Sequence, residues 1–353
     1  MKTIKDVAGL AGVSTATVSN VLSGKRFVSQ ELIERVKQAI IDLDYRPSGV
    51  AKSLKTKRTF TIGVIVSAIQ NPYFAAVVTG ISDFCFKKRY GVVLGESYES
   101  PRREAHNINL LMEKRVDGFI IAPVGVDQKE LDLLMKSNIP FVLINRTFPH
   151  SDNWNVIVNN EGASYKATRY LLELGHRSIG IICGPRKYST SLQRLKGYCR
   201  ALEEAKIPMR DELVRFSKLD INTSYEKTLE LLAQRPTAVF ATNNVLNAGA
   251  LWALRERKIK IPHELSLITL TFDESPWPRI VNPTLTIVSQ PSYQVGLEGA
   301  KMLFAQLKGA PYRKQIILET KFTVGESTGP PPNLDSGNMA LRASERLFGR
   351  GTP

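Results

Sequence analysis

Cysteine is scarce in this chain. Cys85, Cys183 and Cys199 are the three among 353 residues, far apart and with no CxxC pair. That spacing argues against a disulfide framework and fits reduced, buried thiols in a cytoplasm. The N-terminus has no apolar run and no cleavage signal, and no stretch is long and apolar enough to span a membrane. Catalytic signatures are also missing. There is no HExxH, no Walker loop and no GxSxG. The four histidines, His106, His150, His176 and His263, are scattered, and His176 is expected to serve the turn of LGHRSIG. The first apolar strand runs into SAIQNPYF, without the glycines a dinucleotide needs, and CGPRK offers one glycine alone. No enzyme activity, cofactor or metal is therefore expected, and no membrane partner.

What the chain does have is positive charge and a patterned N-terminus. Net charge is +15, and residues 1–58 hold 11 Lys/Arg against 5 Asp/Glu, so +6 falls on that short segment. A basic head suits a phosphate-bearing partner. Within it, Ile4, Val7, Ala8 and Ala11 recur at i, i+3, i+4 and i+7, one face of a helix. Gly12 frees the chain to turn, and Ser14 is placed to cap a second helix. Val18, Val21 and Leu22 give that helix an inward face. Thr15, Ala16, Thr17, Ser19 and Asn20, small and polar, are left outside. Such a face can lie close to a base-pair floor, which is how a helix-turn-helix docks. The alternative is a plain helical corner.

Ser29 is placed to cap a third helix, with Val28 stapled to Ile33 and a stripe of Ile33, Val36, Ile40 and Leu43. Pro47 favours a helix start. Residues 48–55 then read as a short fourth helix that is not stable alone. TIKDVAGLAGVSTATVSNVL, followed by DYRPSGVAKSL, resembles the head of the LacI/GalR family of bacterial repressors in order and spacing. The resemblance implies DNA contacts from Thr3, Ser14, Thr15, Ala16, Thr17, Ser19, Asn20, Ser29 and Tyr45, with base reading by Thr15, Ala16 and Asn20. It also implies a hinge helix in which Ala51, Lys52, Leu54 and Lys55 meet the duplex, Leu54 as a minor-groove wedge.

After residue 59 the texture changes. TIGVIVS, residues 61–67, is a continuous apolar strand of the kind buried on both faces. Helical stretches at 73–88, 102–114 and 128–137 alternate with strands at 91–95, 118–122 and 141–144. A second series follows residues 156–158, with strands at 179–183, 238–241 and 265–270 between helices. This alternation predicts two tandem α/β lobes with parallel sheets. The fold class is thus multidomain, an all-α helix-turn-helix head before two α/β lobes. The family resemblance covers about residues 3–328. It implies a body of periplasmic-binding-protein type whose chain crosses between lobes near Val158, Ile287 and Phe322. The expected limits are 1–47 for the head, 48–59 for hinge and linker, and 60–328 for the effector-binding and dimerisation body. The first lobe would hold 60–157 and 288–321, the second 158–286 and 322–328. Residues 329–353 read as a disordered tail without the heptads of a tetramer-forming zipper.

A cleft in such a body should lie at the carboxyl ends of strands. Asn71, Tyr73 and Phe74 follow the first strand, and Asn145 and Arg146 follow residues 141–144. Arg194, Asn243, Asp273 and Trp277 stand in or beyond later strands. A ligand rich in hydroxyls needs Asp, Asn and Arg partners plus an aromatic face. The resemblance places Phe74, Asn145, Arg194, Asn243 and Asp273 at effector-contacting positions, Arg194 and Asp273 foremost. The alternatives are lobe packing for Phe74 and Trp277, and a surface salt bridge for Arg194. Asn244 and Asn159 stand where the family often has Asp. Fewer carboxylates suit a sugar acid or sugar phosphate better than a neutral sugar.

The expected function is a cytoplasmic, homodimeric transcription regulator, a repressor. It would bind double-stranded operator DNA and answer to a carbohydrate-like effector. Two alternatives stay open: a protein co-repressor docking near Lys301, and a sugar receptor without a regulatory role.

Overall fold

The computed structural model describes residues 2–24, 26–45, 58–124, 131–148 and 152–332. Ala51, Lys52, Leu54 and Lys55 of the expected hinge helix lie outside these residues, as do 333–353 of the expected tail. The chain divides into two compact units, Met1–Phe60 and Thr61–Pro353.

The head is built on α1 (Ile4–Ala11), α2 (Thr15–Ser23) and α3 (Gln30–Asp42). Thr3 and Asp6 form a reciprocal capping box at the start of α1. Gly12, at φ 63°, takes the left-handed turn that ends it. Ser14 Oγ accepts from Thr17 N at 3.0 Å and so caps α2. Arg35 of α3 donates to Ala11 O at 2.7 Å, satisfying a terminal carbonyl of α1. Val7, Ala8, Ala11, Val18, Val36 and Ala39 form the core. Two expectations fail locally. Leu22 is exposed, while Val18 is buried and Val21 half-buried on the same helix. Ser29 holds the N-cap position of α3 without a side-chain cap bond.

The body has two six-stranded sheets. The first lobe contains β1 (Thr61–Val66), β2 (Gly91–Glu96), β3 (Gly118–Ile121), β4 (Phe141–Ile144), β5 (Asn155–Val158) and β11 (Gln315–Leu318), in the order β11-β5-β4-β3-β1-β2. The second contains β6 (Ile179–Cys183), β7 (Val214–Phe216), β8 (Ala238–Ala241), β9 (Ser266–Phe272), β10 (Thr286–Gln290) and β12 (Lys321–Thr323), in the order β12-β10-β9-β8-β6-β7. All described pairings are parallel except β10 with β12. Alternation along each strand separates two cores per lobe. Ile62, Val64 and Val66 enter one cluster while Ile65 enters the other. Ile179, Ile181 and Cys183 are separated from Ile182 in the same way.

Helix α4 (Pro72–Lys87) packs against α12 (Ser292–Lys308), so residues 293–307 do return to the first lobe. In the second lobe α7 (Asn160–Glu173) packs against α8 (Ser189–Glu204). A Cβ at Gly296 would overlap the Val77 carbonyl, and one at Gly197 the Glu161 carbonyl. Each helix pair therefore needs a bare glycine at its crossing point.

The chain leaves the first sheet after Val158, the second after Gln290, and the first again after Leu318. Residues 288–290 were expected in the first lobe. They extend β10, because Ser289 and Gln290 pair with Thr271 and Phe272 of β9. Lys321 likewise pairs with Ser289 in the second sheet. Gly329, assigned to the tail, is buried: its N–H donates to Ser266 Oγ at 3.0 Å, and its carbonyl faces His176 Nε2 at 2.9 Å. His176 also meets Thr237 Oγ1 at 2.9 Å. It pins three segments of the second lobe rather than serving its own turn. Of the cysteines, Cys85 and Cys183 are buried, and Cys199 is half-exposed.

Candidate functional site

On α2, Thr15 and Ala16 are exposed, and Thr17, Ser19 and Asn20 are half-buried. The Thr17 hydroxyl lies 2.9 Å from Ser14 Oγ, inside the cap. Thr3 is closed into its box, donating to Asp6 from both N–H and hydroxyl. Tyr45 packs against the head core and Ser29 is exposed. Thr15 and Ala16 are thus the open part of the expected reading face.

In the body, a cleft of about 970 Å³ opens at the carboxyl ends of both sheets. Asn71, Tyr73, Phe74, Asn145, Arg146, Arg194, Asn243 and Trp277 all stand on its wall. Local structure explains several of them. Asn71 is the N-cap of α4, its Oδ1 accepting from Tyr73 N at 3.1 Å. Asn243 caps α10 (Asn244–Glu256), accepting from Val245 N at 2.8 Å. Asn145 takes a left-handed φ of 67° directly after β4, a conformation asparagine tolerates. Phe74 is buried and meets Tyr73 edge-to-face at 5.2 Å, so it also packs the first lobe. Trp277, on the rim, is exposed.

The two arginines differ. Arg146 makes a bidentate pair with Glu99, at 2.8 and 2.9 Å, and its guanidinium lies 3.8 Å from the Tyr188 ring. Burial alone would raise the Glu99 pKa. The bonds and charge of Arg146 outweigh burial, with help from Tyr188 and Ser67, and hold it down at about 2. Glu99 and Arg146 belong to the first lobe and Tyr188 to the second, so the trio clasps the lobes. Arg194 is equally buried but bonds only neutral acceptors: Asn160 Oδ1 at 2.9 Å, Thr242 O at 2.8 Å and Gln290 Oε1 at 3.5 Å. Desolvation pulls its pKa down to about 10. The alternative of a surface salt bridge at Arg194 is thereby excluded.

Asp273 is not on the cleft wall. Its carboxylate accepts from Ser289 Oγ and from Lys321 Nζ, on the strands that leave and re-enter the second lobe. Ser289 and Lys321 are paired with each other across the β10–β12 ladder and between them take both its oxygens, which ties the carboxylate to the crossing segments. Its neighbour Glu274 does the same for α12, accepting from Ser292 Oγ and Tyr293 N.

Several cleft residues carried no sequence signal. Glu99, Tyr188 and Asn247 lie in loops or mid-element, and Gln290 ends a strand that was expected to stop earlier. Tyr73 Oη and Asn247 Oδ1 are buried on this wall and have no hydrogen-bond partner. Buried polar atoms left open in this way are what a bound ligand satisfies. No cluster of potential metal ligands occurs among the described residues, and no described helix is long and apolar enough to cross a membrane.

Comparison with known proteins follows the same division. Residues 3–48 match the model of bacterial regulatory proteins of the lacI family. Residues 59–322 match that of periplasmic binding proteins and the sugar-binding domain of the LacI family. The ribose operon repressor of Haemophilus influenzae is 35% identical over 330 residues, covering 93% of this chain and 98% of that protein. The transcriptional repressor PurR of Histophilus somni is 34% identical over 321 residues, covering 90% and 96%. Among solved structures, the regulator CelR in complex with cellobiose superposes at TM-score 0.70 with 29% identity, over 93% of this chain and all of that one. The Lac repressor dimer bound to operator superposes at TM-score 0.84 with 23% identity, over 93% and 99%, a likeness of fold. Head and two-lobed body together make this chain a member of the LacI family of bacterial regulatory proteins.

Proposed function

We propose that the protein is a sequence-specific DNA-binding transcription regulator, a repressor, controlled by a small carbohydrate-like effector held between its lobes. The observation that carries this is a cleft with unsatisfied buried polar atoms in the same chain as an exposed, small-residue helix face. CelR with cellobiose and an Enterococcus faecium family member with ribose are related examples of sugar in such a body. The related ribose and PurR proteins are named repressors.

In this proposal the effector contacts are Asn71, Tyr73, Phe74, Asn145, Arg194, Asn243 and Trp277, with Arg146 acting through Glu99. DNA is read by Thr15, Ala16 and Asn20. The segment 48–59 links reader and sensor. The working form is a cytoplasmic homodimer. Exposed apolar side chains on each lobe support the dimer: Val93, Leu94 and Leu110 on the first, Trp252 and Ile280 on the second. A co-repressor docking at Lys301 is less favoured, because Glu298 already holds that ammonium at 2.7 Å.

Genome-wide capture of bound DNA, followed by titration of the operator complex with candidate sugars, tests the whole proposal. Asn20→Ala should change affinity for that operator by about 1–3 kcal/mol per contacted pair. Unchanged operator choice and affinity would remove Asn20 from the reading face.

A further inference from the structure

The charge of the body is unevenly placed. Apart from the four-residue turn Trp277–Ile280, four described helices in each lobe run into the amino end of the next strand. In the first lobe these are α4, α5 (Pro101–Glu113), α6 (Asp132–Ser137) and α12, which lead to β2, β3, β4 and β11. In the second they are α7, α8, α9 (Ile221–Leu232) and α10, which lead to β6, β7, β8 and β9. Every helix C-terminus favours cations through its backbone dipole, so this cause acts equally on both lobes. The charges are nevertheless unequal. The last four helical residues and the connections after them hold nine Lys/Arg against two Asp/Glu in the first lobe, and eight against eight in the second. The excess in the first lobe needs another cause.

The strands of the first sheet are parallel, so these connections share its amino edge, opposite the cleft. Backbone bonds knit that edge: Asp117 N to Thr61 O, Phe119 N to Pro140 O and Asn155 N to Lys314 O. From β2 to β11 it spans six strands, about 24 Å at the usual spacing. Its densest part is where α4 and α12 end side by side. There Phe304 meets Phe84 at 5.4 Å and Tyr90 at 4.8 Å, both edge-to-face. Lys88 stands over the Phe84 ring at 5.4 Å, and Lys308 is one turn beyond Phe304. Lys87, Lys88, Arg89 and Lys308 are exposed and hold no ion pair among the described residues. Near β11, Asp152 meets Lys314, and Arg313 is exposed. Thr61 stands on the same edge, and the chain reaches it directly from the basic head.

We propose that the amino edge of the first sheet is a second DNA-binding surface, which holds phosphates of the duplex beyond the segment read by the head. This rests on the DNA-binding reading of the head. A duplex carries about one negative charge per 1.7 Å, so a row of cations fits it at any sequence. Such contacts add affinity and fix orientation without reading bases. The row is open and continues the charge of the head along the chain, which favours DNA over an acidic protein.

The test measures binding of the full chain to the captured operator, cut to about 20 base pairs to cover two half-sites or extended to about 45. The longer duplex should bind at least about fivefold more tightly at low salt. A triple variant, Lys87→Gln with Lys88→Gln and Lys308→Gln, should lose that gain and still hold the short duplex as wild type does. Its slope of log K against log salt on the long duplex should fall by about 2–3. Arg255→Gln with Arg257→Gln and Lys260→Gln removes the same charge from exposed helix-end positions of the second lobe and should leave both readings unchanged. Equal losses in the two triple variants would mean that total charge is felt, and would overturn the proposal. No gain with length in the wild type, or a gain and slope untouched in the first variant, would overturn it too and leave the edge to an acidic protein. A captured operator bound no better than a scrambled duplex would instead overturn the reading of the head, while the length gain on the scrambled duplex still decides the edge.

Discussion

Arg146 and Arg194 face one cleft from opposite lobes and are equally buried, yet their surroundings differ. Arg146 is matched by a carboxylate in bidentate geometry, and its charge is spent within the fold. Arg194 is held by an amide and a backbone carbonyl, and its charge is left for something else. Burial therefore does not distinguish the two arginines; the charge of the partner does. The same contrast runs through the carboxylates. Glu99 belongs to the clasp across the cleft, and Asp273 to the crossing strands.

The largest effect should come from breaking the matched pair. Glu99→Gln leaves the Arg146 guanidinium buried without a counter-charge, and stability should fall by about 3–5 kcal/mol. Arg194→Gln removes a buried charge that has no counter-charge. Relief of desolvation offsets the lost hydrogen bonds, so the ligand-free protein should stay within about 1 kcal/mol of wild type. Urea unfolding of the two variants in parallel decides this. Equal losses would mean that the two arginines are both structural.

Acid provides the next test, through two buried groups whose partners differ. Glu99 sits at about 2 instead of 4.5, so between those values the native state binds fewer protons than the unfolded chain. Its contribution is present above about 4.5 and is lost as the pH falls through about 2. His176 is lowered from 6.5 to about 4 by desolvation, which outweighs its bond to Gly329. It too is deprotonated in the native state, so its contribution is complete above 6.5 and is lost as pH falls through about 4. Each is worth on the order of 3 kcal/mol. Unfolding midpoints at pH 7, 5 and 3 should fall first in the His176 window and then in that of Glu99. His176→Gln should flatten the first fall alone, and an unchanged profile in that variant would disprove the assignment.

What could be foreseen depended on how local the cause is. The strand Thr61–Val66 is announced by its own apolar run, and the Ser14 cap by the residues next to it. β11 was not foreseen, because Gln315–Leu318 is half-exposed and is a strand only through pairing with Asn155–Val158, far earlier in the chain. Residues 288–290 were misplaced because a ladder, not hydropathy, extends β10. In the cleft, residues at strand ends were legible, since parallel sheets put their carboxyl ends at one edge. Glu99 was not. Its significance lies in Arg146, 47 positions away, and nothing in ESYES marks it.

The smallest expected effect is also the sharpest between sequence and structure. Family resemblance gives Asp273 a leading place in holding the effector, so Asp273→Asn would abolish the ligand response. The structure ties its oxygens to Ser289 and Lys321 instead, away from the cleft wall. The Lys321 side chain is 76% exposed, so that ion pair is screened and worth less than about 1 kcal/mol. Asparagine keeps an acceptor for Ser289. Stability should then change by less than about 1 kcal/mol, and effector affinity by less than about threefold. Lys321→Ala should match it, since both remove one bond between the same two segments. Calorimetry on both variants with the best ligand found for the wild type settles the matter. A tenfold loss in Asp273→Asn that Lys321→Ala does not share would return the carboxylate to the effector and overturn its place at the crossing.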